Sequence, residues 1–178
     1  MLYNDISTTF TFEPGQDRKV AALKINERVC SFFGVIIMNE EYMKVAIPES
    51  LKSLESDDIP VGAVIVHNGK IISQAYNMCE KYKTIHNHAE INCINDAIEK
   101  TKNPYLDDCI LYVTMEPCLM CFAAIEKTNI KKIVYGVKNE KMGFSKFINY
   151  MPRIEIEQNI CSVEIKKILN NFFKNKRN

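Results

Sequence analysis

Apolar residues recur every three or four positions over about Glu40 to Ser56, where Met43, Ala46, Ile47, Leu51 and Leu54 share one face; the stretch reads as a helix packed on a core. Pro48 falls inside it, and because an interior proline costs a helix about 3 kcal/mol, a kink or a restart is expected there. The period then changes. Val61 to His67 and Lys70 to Tyr76 read as strands joined by Asn68-Gly69, a pair favoured in two-residue type I′ hairpins. Ile91, Ile94, Ala97 and Ile98 return to helical spacing after His88. Ile110-Leu111-Tyr112-Val113-Thr114 is a buried third strand that leads into a helix opening at Pro117, where a proline is tolerated in the first turn. Ile133 to Val137 is a fourth strand, Arg153 to Glu157 a weaker fifth, and a closing helix begins near Ser162. Alternation of helices and strands after the first hairpin predicts an α/β domain of three layers, α-β-α, with a mixed central sheet of about five strands.

Composition narrows this further. A chain of 178 residues with 47% hydrophobic content suits one domain, which at this size buries roughly 70% of its unfolded surface. The longest apolar run, Val29 to Met38, is about ten residues and carries Ser31, too short to span a bilayer, so no membrane helix is expected. Seven cysteines, an odd number, do not form a disulfide framework and fit a reducing cytoplasm. The net charge of +1 hides an asymmetry: from Lys131 onward there are 11 Lys/Arg against 4 Asp/Glu, and before it 12 against 18. A basic C-terminal third is a candidate phosphate-binding surface, although charge alone fits a solvated lysine-rich face equally well. Phe172-Phe173-Lys174-Asn175-Lys176-Arg177 favours nucleic acid, because aromatics and cations meet there, with one of the two phenylalanines expected to anchor in the core.

The chemistry concentrates in His88-Ala89-Glu90 and, 28 residues further on, Pro117-Cys118-Leu119-Met120-Cys121. His88, Cys118 and Cys121 supply three zinc-type ligands and Glu90 a spare carboxylate. A structural zinc is closed by four protein ligands, whereas a catalytic one has three and leaves the fourth position to water, whose pKa falls to about 7. Glu90, two residues from a ligand, is placed to shuttle protons. Cys118 and Cys121 share one face of a helical turn, and two helix N-termini point at the site, favouring thiolates. Two other readings compete. A C-x-x-C alone is often a redox pair or half of a structural site, for which Cys79, Cys93 or His86 would be the fourth ligand. Against that, Cys93 lies beside an apolar stripe as a buried thiol, His86 reads as a loop residue and His67 as a strand end. Glu116, just ahead of a helix, reads as a residue that complements its dipole.

The H-x-E and P-C-x-x-C pair is the signature of the zinc nucleobase deaminases, and the finer resemblance is to the bacterial tRNA-specific adenosine deaminases. It covers about Met38 to Arg177. Asp58-Ile59-Pro60-Val61-Gly62-Ala63-Val64-Ile65-Val66 resembles that family's first strand, and Leu111-Tyr112-Val113-Thr114-Met115-Glu116-Pro117-Cys118 its third strand and metal loop. The resemblance implies a cytidine-deaminase-like fold, one zinc per chain on His88, Cys118 and Cys121, and Glu90 as the general acid/base. It implies that Asn77 hydrogen-bonds the bound nucleoside and that Phe173, Lys174, Lys176 and Arg177 help grip a tRNA anticodon stem-loop. It further implies a homodimer that converts adenosine to inosine at the wobble position. Two alternatives remain: a free nucleobase or nucleoside deaminase acting on guanine or cytosine, and a non-catalytic RNA-binding partner subunit, against which the presence of Glu90 argues. Departures from the family pattern at Thr84-Ile85-His86-Asn87, Asn139 and Phe144 bear on the pocket rim and on contacts to flanking nucleotides.

Residues 1 to 37 show little helical or strand period, and their basic residues Arg18, Lys19, Lys24 and Arg28 are balanced by Asp5, Glu13, Asp17 and Glu27, unlike an acid-poor transit peptide. The apolar stretch from Val29 comes late for a secretory signal. The expected organisation is a loosely ordered N-terminal extension over 1–37 and a zinc-dependent deaminase domain over 38–178 that ends in a basic helix.

Overall fold

The computed structural model describes residue 34 and residues 37–176; the expected extension over 1–37 lies almost wholly outside the described residues, as does Arg177. By its internal contacts the chain divides into Met1–Ile37 and Met38–Asn178, and only the second is treated below. Its elements in order are α1 (residues 37–51), β1 (Gly62–His67), β2 (Lys70–Tyr76), α2 (Cys79–Tyr82), α3 (Ala89–Thr101), β3 (Cys109–Met115), α4 (Leu119–Lys127), β4 (Lys132–Val137), β5 (Glu155–Gln158) and α5 (Ser162–Asn175). Short 3-10 turns lie at Lys52–Ser56 and Phe144–Lys146.

The strands form one sheet in the order β2-β1-β3-β4-β5. β1 is antiparallel to β2 and to β3, whereas β3, β4 and β5 run parallel, so the sheet is mixed as expected. Its side chains alternate between two cores, because successive residues of a strand face opposite ways. Ala63, Ile65, Leu111, Val113, Ile133 and Tyr135 meet Ala89, Cys93, Ala97, Phe122 and Ile125 of α3 and α4. Val64, Val66, Tyr112, Val134 and Val137 meet Met43, Ala46 and Ile47 of α1 and Ile165 and Leu169 of α5. These are the three layers. The Asn68-Gly69 turn has φ of 49° and 74°, the positive pair that a type I′ hairpin requires.

Three expectations about the first helix need correction. α1 runs unbroken through Pro48. The proline is exposed, and so is Lys44, four residues back, whose carbonyl loses its helical partner. Met43, Ala46 and Ile47 are meanwhile fully packed and hold the helix in place. Leu51 and Leu54, read as core, are 43% and 45% exposed, and Ser53 is buried in their stead. For Leu54 the cause is the tightening to three residues per turn at Lys52, which rotates the buried face away from the 3.6-residue register; Leu51 is the last residue of α1 before it.

A polar network closes the sheet's far edge. Tyr112 Oη donates to Asn39 Oδ1 (2.8 Å), the Asn39 amide donates to both oxygens of Glu157 (2.9 Å each), and Lys132 Nζ reaches Glu157 Oε2 at 2.6 Å. It joins α1 to β3, β4 and β5. With α1 secured inside the second unit, a chain shortened to begin at Met38 is expected to keep its zinc content and to melt within about 3 °C of the full chain, read by calorimetry and metal analysis. Insoluble protein on that truncation would show that residues 1–37 complete the core.

Candidate active site

The parallel pairing of β3 and β4 requires a crossover, and α4 is that crossover. The end of β3 therefore turns straight into the start of α4, beside the start of α3. His88 is the N-cap residue of α3 and Cys118 that of α4; both have extended backbones, and neither side chain caps its own helix. They turn to one another instead. His88 Nδ1 stands 3.5 Å from Cys118 Sγ and 3.3 Å from Cys121 Sγ, and all three ligand atoms lie within 4.8 Å of each other. Tetrahedral zinc with bonds of about 2.3 Å to sulfur and 2.0–2.1 Å to nitrogen sets its ligands roughly 3.5–3.8 Å apart, and the two distances from His88 to sulfur are near that spacing. The helix at the second half-site starts at Leu119, two residues beyond the expected Pro117.

The electrostatics agree. The hydrogen bond from the Cys121 thiol, followed by that from His88, holds Cys118 as a thiolate with a pKa lowered to about 4. The same sulfur pairing, then burial, pushes Cys121 up, while the bond to Cys118 raises His88. Glu90, in the first turn of α3, is 4% exposed, and burial drives its carboxyl up to about 7, the range in which a group can both take and return a proton near neutral pH.

Among the described residues the ligand group has three members and not four. Cys93 points into the sheet-side core, its thiol set against Ala63 O and Ser73 Oγ, with burial pushing its pKa up to about 12. His86 is an exposed loop residue, and Cys79 starts α2 outside the cluster.

A cavity of about 100 Å³ opens beside the ligands, lined by Ile59, Asn77, Glu90, Met115 and Asn139 among others. That is well below the roughly 300–1,000 Å³ of a pocket enclosing a drug-sized ligand. A larger hollow of about 520 Å³, between Leu51, Leu54, Ile168 and Phe172, holds none of the metal-site residues. Asn77 is 8% exposed; its Nδ2 donates to Ile59 O (3.2 Å), while Oδ1 has no protein partner. A buried acceptor left unpaired is costly unless something completes it, and a ligand N–H in the cavity would do so.

The backbone around Asn77 is fixed by a residue that sequence reasoning passed over. Asp58, 1% exposed, accepts the amides of Glu80 (2.7 Å) and Lys81 (3.2 Å) and so caps α2 from more than twenty residues back. The only sequence signal was an acidic residue inside an otherwise apolar strand entry. Of the departures from the family pattern, Asn139 does line the cavity, whereas Phe144 is buried and stacks on Phe122 at 4.1 Å. Residues 84–87 do not line it: Ile85 is 87% exposed, and Asn87 is tied down through its carbonyl by the Met78 amide and the Asn92 side chain. Glu116 was expected to complement the α4 dipole. Its carboxylate instead accepts the amides of Asn139 and Ser145.

Phe172, Phe173 and Lys174 lie on the last turn of α5, and Lys176 is its C-cap. Phe172 is the buried member of the pair, Phe173 is 40% exposed, and Lys174 is exposed. Lys176 stands over the Phe172 ring at 5.5 Å and pairs with Asp57, the neighbour of the α2-capping Asp58.

A three-donor metal site with a buried acid, at the C-terminal end of parallel strands in a mixed sheet, defines a zinc-type hydrolase centre. The family model for the cytidine and deoxycytidylate deaminase zinc-binding region matches residues 37–137, and the chain belongs to that family. A tRNA-specific adenosine deaminase of Aquifex aeolicus (strain VF5) is 41% identical over 107 residues, 60% of this chain and 71% of that protein. One from Streptococcus pyogenes serotype M18 is 34% identical over 143 residues, 76% of this chain and 90% of that protein. A solved tRNA:A34 deaminase that performs A-to-I editing at the wobble position of transfer RNA superposes with a TM-score of 0.68 at 31% identity, covering 72% of this chain and 99% of that one.

Cys118→Ala is expected to abolish stoichiometric zinc, and Glu90→Ala to retain it while losing about 10²–10⁴-fold in turnover, as removal of a proton shuttle does. Metal analysis beside a single-turnover assay separates the two. An E90A protein that lost its zinc yet stayed active on residual metal would refute the roles assigned.

Proposed function

We propose that this chain is a zinc-dependent hydrolytic deaminase that converts adenosine to inosine at the wobble position of a tRNA anticodon. The observation that carries the reading is the small, ring-sized cavity in which Glu90 and the unpaired Asn77 Oδ1 sit beside the three metal donors. His88, Cys118 and Cys121 hold one zinc per chain, which supplies Lewis acidity and an activated water at neutral pH. Glu90 takes one proton from the attacking water and gives it to the ring nitrogen adjacent to C6, then carries the proton of the hydroxyl added at C6 to the amine, so the C6–N bond breaks, ammonia leaves and inosine remains. Asn77 Oδ1 accepts a hydrogen bond from the nucleoside and orients the ring. A cavity this small suits a base turned out of a nucleic-acid strand, with ribose and phosphates held outside it.

Phe173, Lys174, Lys176 and Arg177 are read as the grip on the anticodon stem-loop, aromatic for stacking and cationic for phosphate. The pairing of Lys176 with Asp57 is no obstacle, because exposed ion pairs exchange readily for phosphate contacts. We read the chain as a homodimer, in keeping with its family; Leu119 and Met120, exposed on the first turn of α4, offer apolar surface for a second copy. The cytoplasm, where tRNA is the substrate at hand, is the compartment that fits. Among the described residues no helix is long and apolar enough to cross a membrane.

An inosine assay on a stem-loop with wobble adenosine, run beside free adenosine, guanine and cytosine, tests the reading: turnover of the stem-loop alone is expected. Turnover of a free base in preference would assign a nucleobase deaminase instead. Replacing Lys174, Lys176 and Arg177 by alanine is expected to make the slope of log Kd against log salt shallower by about 2 to 3, with little effect at saturating substrate. An unchanged slope would reduce the tail to a solubilising face.

A further inference from the structure

Glu116 is buried, at 1% exposure, and belongs to neither the ligand group nor the proton path. A carboxylate is costly to bury without partners, so what it holds matters. Oε2 accepts the Asn139 amide at 3.0 Å and Oε1 the Ser145 amide at 3.1 Å. The turn between those residues is fastened to the metal loop at two more points, and the end of β4 that leads into it at one. The Glu116 amide donates to Val137 O (2.8 Å), the Phe144 amide donates to Pro117 O (2.9 Å), and Cys118 pairs with Gly143 in an antiparallel bridge. Gly143 has no space for a side chain: a Cβ would overlap the Glu116 carboxylate and come within 2.7 Å of Asn139 O. One wall of the cavity, at Asn139, is thus set by a carboxylate one residue from Pro117 and two from a metal ligand.

We propose that Glu116 is a positioning residue for the reaction. Its two oxygens hold the 139–145 turn in register with the metal loop, Gly143 allows the approach, and the wall so placed fixes how the substrate ring seats against the donors. Glu116 itself lines the cavity beside Asn139, but both its oxygens are taken up by the Asn139 and Ser145 amides, so it acts on the ring through the Asn139 backbone.

Glu116→Gln tests this, because it keeps the shape but turns one acceptor into a donor that faces an amide N–H. One of the two bonds must be lost, which in a buried site is worth about a tenfold change. Amide hydrogen exchange at Asn139 or Ser145 is expected to speed up about tenfold while α3 amides are unchanged, with zinc content intact. KM for the stem-loop is expected to rise about tenfold and kcat to stay within about threefold, the pattern of a misplaced wall beside intact chemistry. Unchanged exchange and KM would overturn the proposal. So would a uniform rise in exchange with a fall in kcat at constant KM, the mark of general destabilisation. Should E116Q fail to accumulate, Gly143→Ala, which leaves the carboxylate in place, is expected to give the same local exchange and KM effect, and its absence is equally decisive. Only the kinetic arm rests on the tRNA reading: a wild-type protein inert on the stem-loop would refute that reading, while the exchange comparison would still decide this one.

Discussion

Everything in the site depends on two helix starts being brought face to face. Each leaves its first-turn amides without intrahelical partners and carries a partial positive charge, so two of them beside a dication would repel. The thiolates resolve this. Cys118 at one N-cap, Cys121 one turn on and His88 at the other N-cap are the residues that would hold a zinc there, and the two cysteines would bind it as thiolates whose charge offsets that of the helix ends. Neither cap residue spends its side chain on its own helix, which is the stabilising use of such a position given up for chemistry. The parallel β3–β4 pair is what makes the geometry obligatory, since its crossover has to begin where β3 ends.

Around that junction the walls are held by backbone contacts made from a distance. Asp58 fixes the segment after Asn77 by capping α2, and Glu116 fixes the 139–145 turn. Two buried carboxylates, each satisfied by backbone amides, hold a cavity whose polar lining is Asn77, His88, Glu90, Glu116, Cys118 and Asn139. Such rigidity suits a reaction that needs a flat ring delivered to one spot, since misplacement by about 1 Å can cost 10²-fold in rate.

The strands and the metal residues were legible in the sequence because their signals are local. β1 and β2 declare themselves by Asn68-Gly69 between apolar runs, and His88, Glu90, Cys118 and Cys121 by spacing within single turns. What escaped was set by partners far along the chain. α2 is four residues long and owes its start to Asp58; Glu116 looked like a helix-end charge until the 139–145 turn was seen against it. Pro48 and Leu54 mislead for a different reason: propensity counts residues, whereas solvent on the outer face of α1 and the shift to a 3-10 turn decide what those residues cost.

The account stands or falls on the metal being bound by three protein atoms with one position open. Zinc K-edge X-ray absorption on the purified full chain reads this directly. The predicted shell is two sulfurs at about 2.3 Å, one imidazole nitrogen at 2.0–2.1 Å and one further light atom that exchanges with added anions or substrate analogues. A closed shell with a third sulfur or a second imidazole would contradict it, and the centre would then be a structural one.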